Sequence, residues 1–204
     1  MIGIVDYGLG NLTSVAGAVE RVGFEPVISA DPETLGHAKK LILPGVGAFG
    51  DGMANLCERG LVQPLTDMVT RRETPILGIC LGFQLIALSS EEFGEHEGLG
   101  WIDARVTRLE LGDESLRIPH VGWNELYQDQ ESVLFDGIPD AALFYYVHTY
   151  RMETEDRDLV AGECDYGGRF VAVIHQGNIH ATQFHPEKSQ RHGLTLLKNF
   201  LEKG

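Results

Sequence analysis

The chain has 204 residues, 43% of them hydrophobic and 23% charged, and a formal net charge of −14. This composition is typical of a globular protein with a sizeable core, and the negative charge disfavours nucleic acid or an anionic membrane as a partner. No apolar run reaches the roughly 20 residues of a membrane span, no basic leader segment opens the chain, and three cysteines lack metal-type spacing, so we expect a cytoplasmic protein with reduced thiols.

Strands and helices alternate over the first 90 residues. Strand patterns, which are short apolar runs rich in β-branched residues, lie at 2–8, 25–29, 40–44 and 75–79. Helical patterns run from the N-cap candidate Asn11 to Gly23, from Asp31 onwards, and over 51–60, 61–72 and 81–90. This alternation predicts a three-layer α/β fold with a mostly parallel central sheet flanked by helices.

The second half is richer in strand patterns, which lie at 104–111, 132–135, 143–150, 170–176 and 178–185. The tripeptide Gln176-Gly177-Asn178 predicts a tight hairpin between the last two, and an amphipathic helix is predicted over 191–204. No linker-like stretch or repeat divides the chain. We therefore expect one domain over 1–204, with additional antiparallel strands in its second half.

Cys80 stands between a predicted strand and a predicted helix, in the sequence Gly78-Ile79-Cys80-Leu81-Gly82. Flanking glycines relieve crowding in a sharp turn that projects the thiol above the sheet edge, as in a nucleophile elbow. The positive end of the following helix favours a thiolate, and the Leu81 N–H offers a hydrogen bond to an oxyanion. The alternative is a small buried thiol at the end of a strand.

A base for this nucleophile is available in "QFHPEKS", residues 183–189, where His185 and Glu187 follow an apolar strand. Residues i and i+2 of an extended segment share a face, so the carboxylate can orient one imidazole nitrogen while the other meets the thiol. The alternative is a His–Glu pair on the protein surface.

A second oxyanion donor is expected from the loop "LPGVGAFGDG", residues 43–52. Its four glycines allow backbone amides to turn toward a ligand at low steric cost. The alternatives are a phosphate cradle or a merely flexible loop, but no Lys-Ser/Thr pair follows the glycines as it does in a Walker-type loop.

These three stretches together resemble the class I glutamine amidotransferases. Within that family, "IVDYGLGNLTSV", "PHVGWNEL", "YYVHTYR" and "GNIHATQFHPEKS" resemble the branch of glutaminase subunits of imidazole glycerol phosphate synthase, in the same order from residue 2 to about 200. The resemblance implies the flavodoxin-like fold of the family, a role in histidine biosynthesis, and neither a cofactor nor a metal.

The resemblance also implies a mechanism on L-glutamine. Cys80 attacks the side-chain amide, backbone N–H groups of Val46, Gly47 and Leu81 hold the oxyanion, and His185, oriented by Glu187, protonates the departing ammonia. A glutamyl thioester remains, and water activated by His185 hydrolyses it. By similarity, Gln84 and the backbone around Thr149 and Tyr150 bind the α-groups of glutamine.

A partner is expected as well, because a glutaminase domain accounts for all 204 residues and leaves no room for a second active site. The resemblance implies a (β/α)₈-barrel cyclase subunit that receives the ammonia and forms a heterodimer with this chain. The products there are imidazole glycerol phosphate and an aminoimidazole carboxamide ribotide. Candidate contacts are Asn11, Trp123, Tyr146 and Lys188, and loop 45–50 is the expected movable element that keeps hydrolysis low without the partner.

Two alternatives of function stay open at this point. One is a glutaminase of another synthase, of the pyridoxal phosphate or anthranilate type. The other is a nucleotide-binding module with an inert thiol, since Gly8-x-Gly10-x-x-Thr13 is half of a dinucleotide fingerprint, although the third glycine is missing and Asp6 would repel a pyrophosphate. Histidines every five residues from 175 to 185 alternate strand faces and predict no metal site.

Overall fold

A computed structural model describes residues 1–113 and 115–204. Its first half has the predicted alternation of strands and helices. The elements are β1 (Ile2–Val5), α1 (Leu12–Arg21), β2 (Pro26–Ser29), α2 (Pro32–Gly36), β3 (Lys40–Leu43), α3 (Phe49–Glu58), α4 (Val62–Thr66), β4 (Ile76–Ile79) and α5 (Leu81–Leu85). A π-helical segment, Asp67–Arg71, continues α4.

Side-chain caps explain where the early helices begin. The Asn11 side chain accepts a hydrogen bond from the Ser14 N–H at 3.3 Å, and Asp31 accepts from the backbone of Glu33 and Thr34. Each cap satisfies N–H groups that the first turn of a helix leaves without a partner. Gly23 follows the end of α1 with a φ of +93°, which glycine adopts without steric cost.

The second half is mostly strand. Its elements are β5 (Ala87–Ser90), β6 (His96–Glu97), β7 (Ile102–Arg108), β8 (His120–Gln128), β9 (Ala142–His148), β10 (Tyr150–Glu153), β11 (Val160–Asp165), β12 (Arg169–Gln176), β13 (Ile179–Thr182) and α6 (Gln190–Lys203). Short 3₁₀ turns lie at Val133–Phe135, Arg157–Leu159 and Pro186–Lys188.

The described residues form one sheet of 13 strands. Five of them, in the order β2-β1-β3-β4-β13, are parallel to one another. β12 then runs antiparallel to β13 through the predicted hairpin, and the remaining strands continue from β12 in mainly antiparallel pairs. The predicted mixed α/β fold is therefore confirmed, and β13 lies inside the sheet, between β4 and β12.

Apolar cores cover both faces of the parallel strands. On one face, Leu41 and Leu43 pack among residues of α2, α3 and α4, while on the other Ile42 and Leu77 pack among residues of α1 and α6. Alternate residues of a strand point to opposite faces, so strands covered on both faces read as continuous apolar runs such as "KLIL" and "PILGI". No helix among residues 1–113 and 115–204 is long and apolar enough to cross a bilayer.

The prediction of one helix over 81–90 is wrong. The helix ends at Leu85, and β5 follows it and pairs with β6 and β7. The carbonyls of Leu85, Ile86 and Ala87 accept hydrogen bonds from residues 99–102, which replace the bonds that a longer helix would have made. Sheet pairing with a distant segment thus overrides a locally helical pattern.

Four further features differ from the expectations. Residues 133–135 form a 3₁₀ turn and not a strand, and the strands β8 and β11 were not predicted. The pattern at 143–150 contains two elements, β9 and the start of β10, which pair with different strands. Strand partners far along the chain decide these outcomes, and local composition does not show them.

Candidate active site

Four chain segments meet at the carboxyl edge of the parallel strands. Residues 6–11 follow β1, loop 44–48 follows β3, Cys80 follows β4, and the segment with His185 follows β13. Since these strands are parallel and adjacent in the order β1-β3-β4-β13, the four segments lie side by side. This edge is where open α/β sheets usually bind ligands.

Cys80 lies at a strained turn between β4 and α5. Its φ is 54° and its ψ is −104°, a backbone conformation that residues with a Cβ rarely adopt. The two flanking glycines make this turn sterically possible: a Cβ at position 82 would overlap the Leu43 carbonyl, and one at position 78 would lie 2.9 Å from the Gly82 carbonyl oxygen. The thiol is 7% exposed, so it is buried but reachable.

His185 and Glu187 form a buried pair. His185 Nδ1 lies 2.8 Å from Glu187 Oε1, and each side chain is only 2% exposed. The other ring nitrogen, Nε2, has no hydrogen-bond partner in the part of the chain that the structure describes. Burial alone would lower the pKa of His185, but Cys80 and Glu187 outweigh it and raise the pKa to about 9. The imidazole is therefore charged at neutral pH.

Ser189 holds this pair against the sheet. Its hydroxyl donates to the His185 carbonyl at 2.6 Å and accepts from the Tyr145 N–H of β9 at 3.0 Å. The His185 N–H also donates to the Tyr145 carbonyl at 3.0 Å. Sequence reasoning missed Ser189, although a serine inside "HPEKS", next to a predicted helix, was a usable signal.

One of the predicted oxyanion donors, the Leu81 N–H, is not free in this conformation. The Leu81 N–H donates to the Gly45 carbonyl at 3.3 Å. Val46 is 40% exposed, and Gly47 has a φ of +117°. The loop thus covers the Leu81 N–H with its own carbonyl.

A buried carboxylate anchors the far end of this loop. Glu92, only 8% exposed, accepts a hydrogen bond at 2.7 Å from the N–H of Phe49, the first residue of α3. Burial raises the pKa of Glu92, although this hydrogen bond opposes the rise. Sequence reasoning missed Glu92, because nothing local links residue 92 to a helix that begins at residue 49.

Gln84 belongs to a buried polar chain that ends at the nucleophile. Its amide nitrogen lies 3.0 Å from the Tyr150 carbonyl and 3.0 Å from Gln183 Oε1. The Gln183 amide in turn approaches Cys80 Sγ at 4.0 Å, and the Thr149 carbonyl accepts from Leu109. The structure therefore brings Gln84, Thr149 and Tyr150 to one region, and it adds Gln183, which sequence reasoning missed.

A pair of neutral histidines ties β8 to β9 beneath this region. His148 Nδ1 lies 2.8 Å from the Tyr150 carbonyl, and since a carbonyl only accepts, this nitrogen carries the proton. His148 Nε2 then accepts from His120 Nδ1 at 2.9 Å. Burial lowers the pKa of His120 to about 4 and that of His148 to about 3, which agrees with two uncharged rings.

The candidate partner contacts divide into surface and core residues. Trp123 is 44% exposed beside the exposed Val121 and Leu143, and Lys188 lies 6.0 Å from the ring centre of Tyr145. The choice of Tyr146 as a contact is wrong for this structure, because Tyr146 is 0% exposed. Side chains alternate along β9, so its neighbour Tyr145 faces outward and Tyr146 points into the core.

The chain is similar to proteins of one known family. A profile of the family described as "Glutamine amidotransferase class-I" matches residues 4–203. The chain is 47% identical over 205 residues to the imidazole glycerol phosphate synthase subunit HisH of Geobacter sulfurreducens, covering 98% of each protein. It is 48% identical over 201 residues to the HisH subunit of Aquifex aeolicus, covering 98% of this chain and 95% of that one. A crystal structure of a glutamine amidotransferase shares the fold, with a TM-score of 0.74 at 22% identity over 98% of this chain and 97% of that one.

Proposed function

Because the chain belongs to the class I glutamine amidotransferase family, we propose that it hydrolyses L-glutamine to glutamate and ammonia. We propose further that it passes the ammonia to a (β/α)₈-barrel cyclase subunit, with which it forms the heterodimeric imidazole glycerol phosphate synthase of histidine biosynthesis. The relatives that carry that name over nearly their full length support this assignment. The pyridoxal phosphate, anthranilate and nucleotide-binding alternatives have no comparable support.

The observation that carries the chemistry is the geometry at the sheet edge, where Cys80 occupies a positive-φ turn after β4 and the buried His185–Glu187 pair follows the adjacent strand β13. The Cys80 thiolate attacks the carboxamide carbon of glutamine, and the C–N bond of the resulting tetrahedral intermediate breaks. The His185 imidazolium gives its proton to the leaving nitrogen, which departs as ammonia. His185 then takes a proton from water, which attacks the thioester and releases glutamate and the thiol.

The oxyanion of each tetrahedral intermediate needs the backbone N–H of Leu81 and a second N–H near Val46 and Gly47. Since the Gly45 carbonyl occupies the Leu81 N–H, loop 45–50 must turn before the first step. We propose that partner and substrate binding favour the turned conformation. Hydrolysis is then low in the isolated subunit, which prevents loss of ammonia to the solvent.

The remaining assignments follow the same family logic. Gln84 and the backbone at Thr149 and Tyr150 bind the α-groups of glutamine, and Asn11, Trp123 and Lys188 contact the cyclase. A single amidotransferase domain spans 1–204. Three free cysteines support a reducing, cytoplasmic location.

The Cys80→Ala variant tests the proposal in the complex assembled with the cyclase. We expect glutamine-dependent synthesis to fall by at least about 1,000-fold, because the nucleophile is lost, while synthesis from added ammonium salt stays within about twofold. Steady-state assays with each nitrogen source measure both. Cys57→Ala, which removes an exposed free cysteine, is the matched control and should change neither rate.

Two results would contradict the assignment. Loss of both activities in a complex that still assembles would show that Cys80 serves more than glutamine hydrolysis. Retention of the glutamine-dependent rate would show that another group is the nucleophile.

A further inference from the structure

Tyr7 carries a buried hydroxyl that takes no part in the hydrogen bonding of the described residues. The residue lies just beyond β1, is 0% exposed, and its hydroxyl has no hydrogen-bond partner among residues 1–113 and 115–204. Burial raises the pKa of Tyr7 far above its ordinary value, and the nearby Cys80 adds to the effect, so the phenol keeps its proton. Buried polar groups are normally satisfied, and an orphaned one calls for an explanation.

The hydroxyl lies against the loop that must move. A Cβ at position 45 would overlap the Tyr7 hydroxyl oxygen, which places that oxygen directly beside the backbone of Gly45. Gly45 is itself buried, and its carbonyl is the group that occupies the Leu81 N–H. An unused donor thus lies beside the residue whose carbonyl has to give up its partner.

The change in hydrogen bonding links the Tyr7 hydroxyl to the Gly45 carbonyl. When loop 45–50 turns and frees the Leu81 N–H, the Gly45 carbonyl loses its donor inside a buried environment, and an unpaired buried carbonyl is unfavourable. The phenolic O–H of Tyr7 is the donor at hand. Glycine at position 45 supplies both the space for the hydroxyl and the freedom to rotate.

We infer that Tyr7 is a positioning residue for catalysis. Its hydroxyl has no hydrogen-bond partner among the described residues in the resting conformation, and it donates to the Gly45 carbonyl when the oxyanion site forms. This inference rests on the proposed glutaminase function. It explains why the resting conformation contains a buried donor without a partner. The unpaired hydroxyl raises the free energy of the resting conformation, so the free-energy difference between the resting loop and the turned loop is smaller. Phenylalanine would fill the same space but could not satisfy the carbonyl.

The Tyr7→Phe variant tests the inference. In the complex with the cyclase we expect kcat for glutamine hydrolysis to fall about five- to tenfold, the effect of one hydrogen bond, with little change in the KM for glutamine. Alkylation of Cys80 by iodoacetamide, which needs no oxyanion site, should keep its wild-type rate. The unfolding midpoint of the chain should be unchanged or raised, because the variant removes an orphaned buried polar group.

The combination separates positioning from structural support. If the hydroxyl merely supported the fold, its removal would lower the unfolding midpoint, and that result would overturn the inference. A kcat within twofold of wild type, or slower alkylation of Cys80, would overturn it as well. Tyr166→Phe, which removes a hydroxyl bonded to the Arg117 backbone, is the control and should leave kcat unchanged. If wild-type complex fails to hydrolyse glutamine, the proposed function itself fails, which is distinct from an unaffected Tyr7→Phe variant.

Discussion

The His185–Glu187 pair shows how far a spacing of two positions in the sequence can predict a contact. The sequence predicts the pair from the rule that positions i and i+2 of an extended segment share a face, but Glu187 lies in the 3₁₀ turn Pro186–Lys188, so a turn and not strand alternation gives the 2.8 Å contact between Nδ1 and Oε1. The supporting contacts of Ser189, Gln183 and Glu92 were not predictable in the same way. Their partners lie 43 to 103 residues away along the chain, so only the tertiary structure identifies them.

At this scale we predict the effect of Glu187→Gln. The substitution removes the charge that helps hold the pKa of His185 near 9, so the pKa should fall and kcat should drop by about 100-fold. NMR titration of the labelled imidazole and steady-state kinetics measure the two effects. An unchanged pKa would mean that Glu187 does not act on the ring.

The same shift has a consequence for stability. A pKa of about 9 in the folded state exceeds the ordinary 6.5, so protonated His185 stabilises the fold fully below about pH 6.5, and the contribution is lost as the pH rises through about 9. In Glu187→Gln the loss should still begin near pH 6.5 but should be smaller and complete at a lower pH. Urea unfolding of both proteins between these values measures the difference.

Single elements at the site depend on contacts between segments more than on local pattern. The turn at Cys80 was recognisable from the sequence because a glycine lies two residues before it and another two residues after it. The following helix, however, is only about one turn long, and β5 takes the place of its expected continuation. Pairing of β5 with β7 decides this, and no property of residues 81–90 reports it. The position of the segment after β13 also depends on contacts between segments, because the Ser189 hydroxyl bonds both to the His185 carbonyl and to the Tyr145 N–H of β9.

The element-scale prediction concerns Ser189→Ala. Loss of the hydroxyl leaves the Tyr145 N–H and the His185 carbonyl without this partner, so unfolding free energy should fall by about 1–3 kcal/mol and kcat should fall as His185 loses its position. Chemical denaturation and kinetics provide the measurements. Ser132→Ala, in another 3₁₀ turn far from the site, is the matched control and should cost less than about 1 kcal/mol. Equal losses in the two variants would argue against a special role for Ser189.

At the scale of the whole molecule, we propose the outer face of β8 and β9 as the surface that contacts the partner. Val121, Trp123 and Leu143 are each more than 40% exposed there, on a chain with a net charge of −14. The antiparallel register Trp123↔Tyr145 and Glu125↔Leu143 makes these side chains one contiguous patch. The sequence predicted Trp123 as a contact but gave no indication of Leu143, because β8 was not recognised as a strand.

We therefore predict that Leu143→Asp weakens the complex with the cyclase by about 10- to 100-fold in Kd, since it places a charge in a desolvated apolar contact. Isothermal titration calorimetry measures the change. Ile28→Asp alters an equally exposed apolar residue on β2 and should bind normally. Similar weakening by both variants would move the interface elsewhere.

The central position of β13 bears on when the enzyme becomes competent during synthesis. β13 pairs in parallel with β4, Ile179 opposite Ile76, so about half of the chain separates the nucleophile from its base. A nascent chain still lacking residues 179–187 outside the ribosome can expose the Cys80 turn but has no imidazole to serve it. Ammonia release is thereby confined to chains in which residues 179–187 have emerged and β13 has paired with β4.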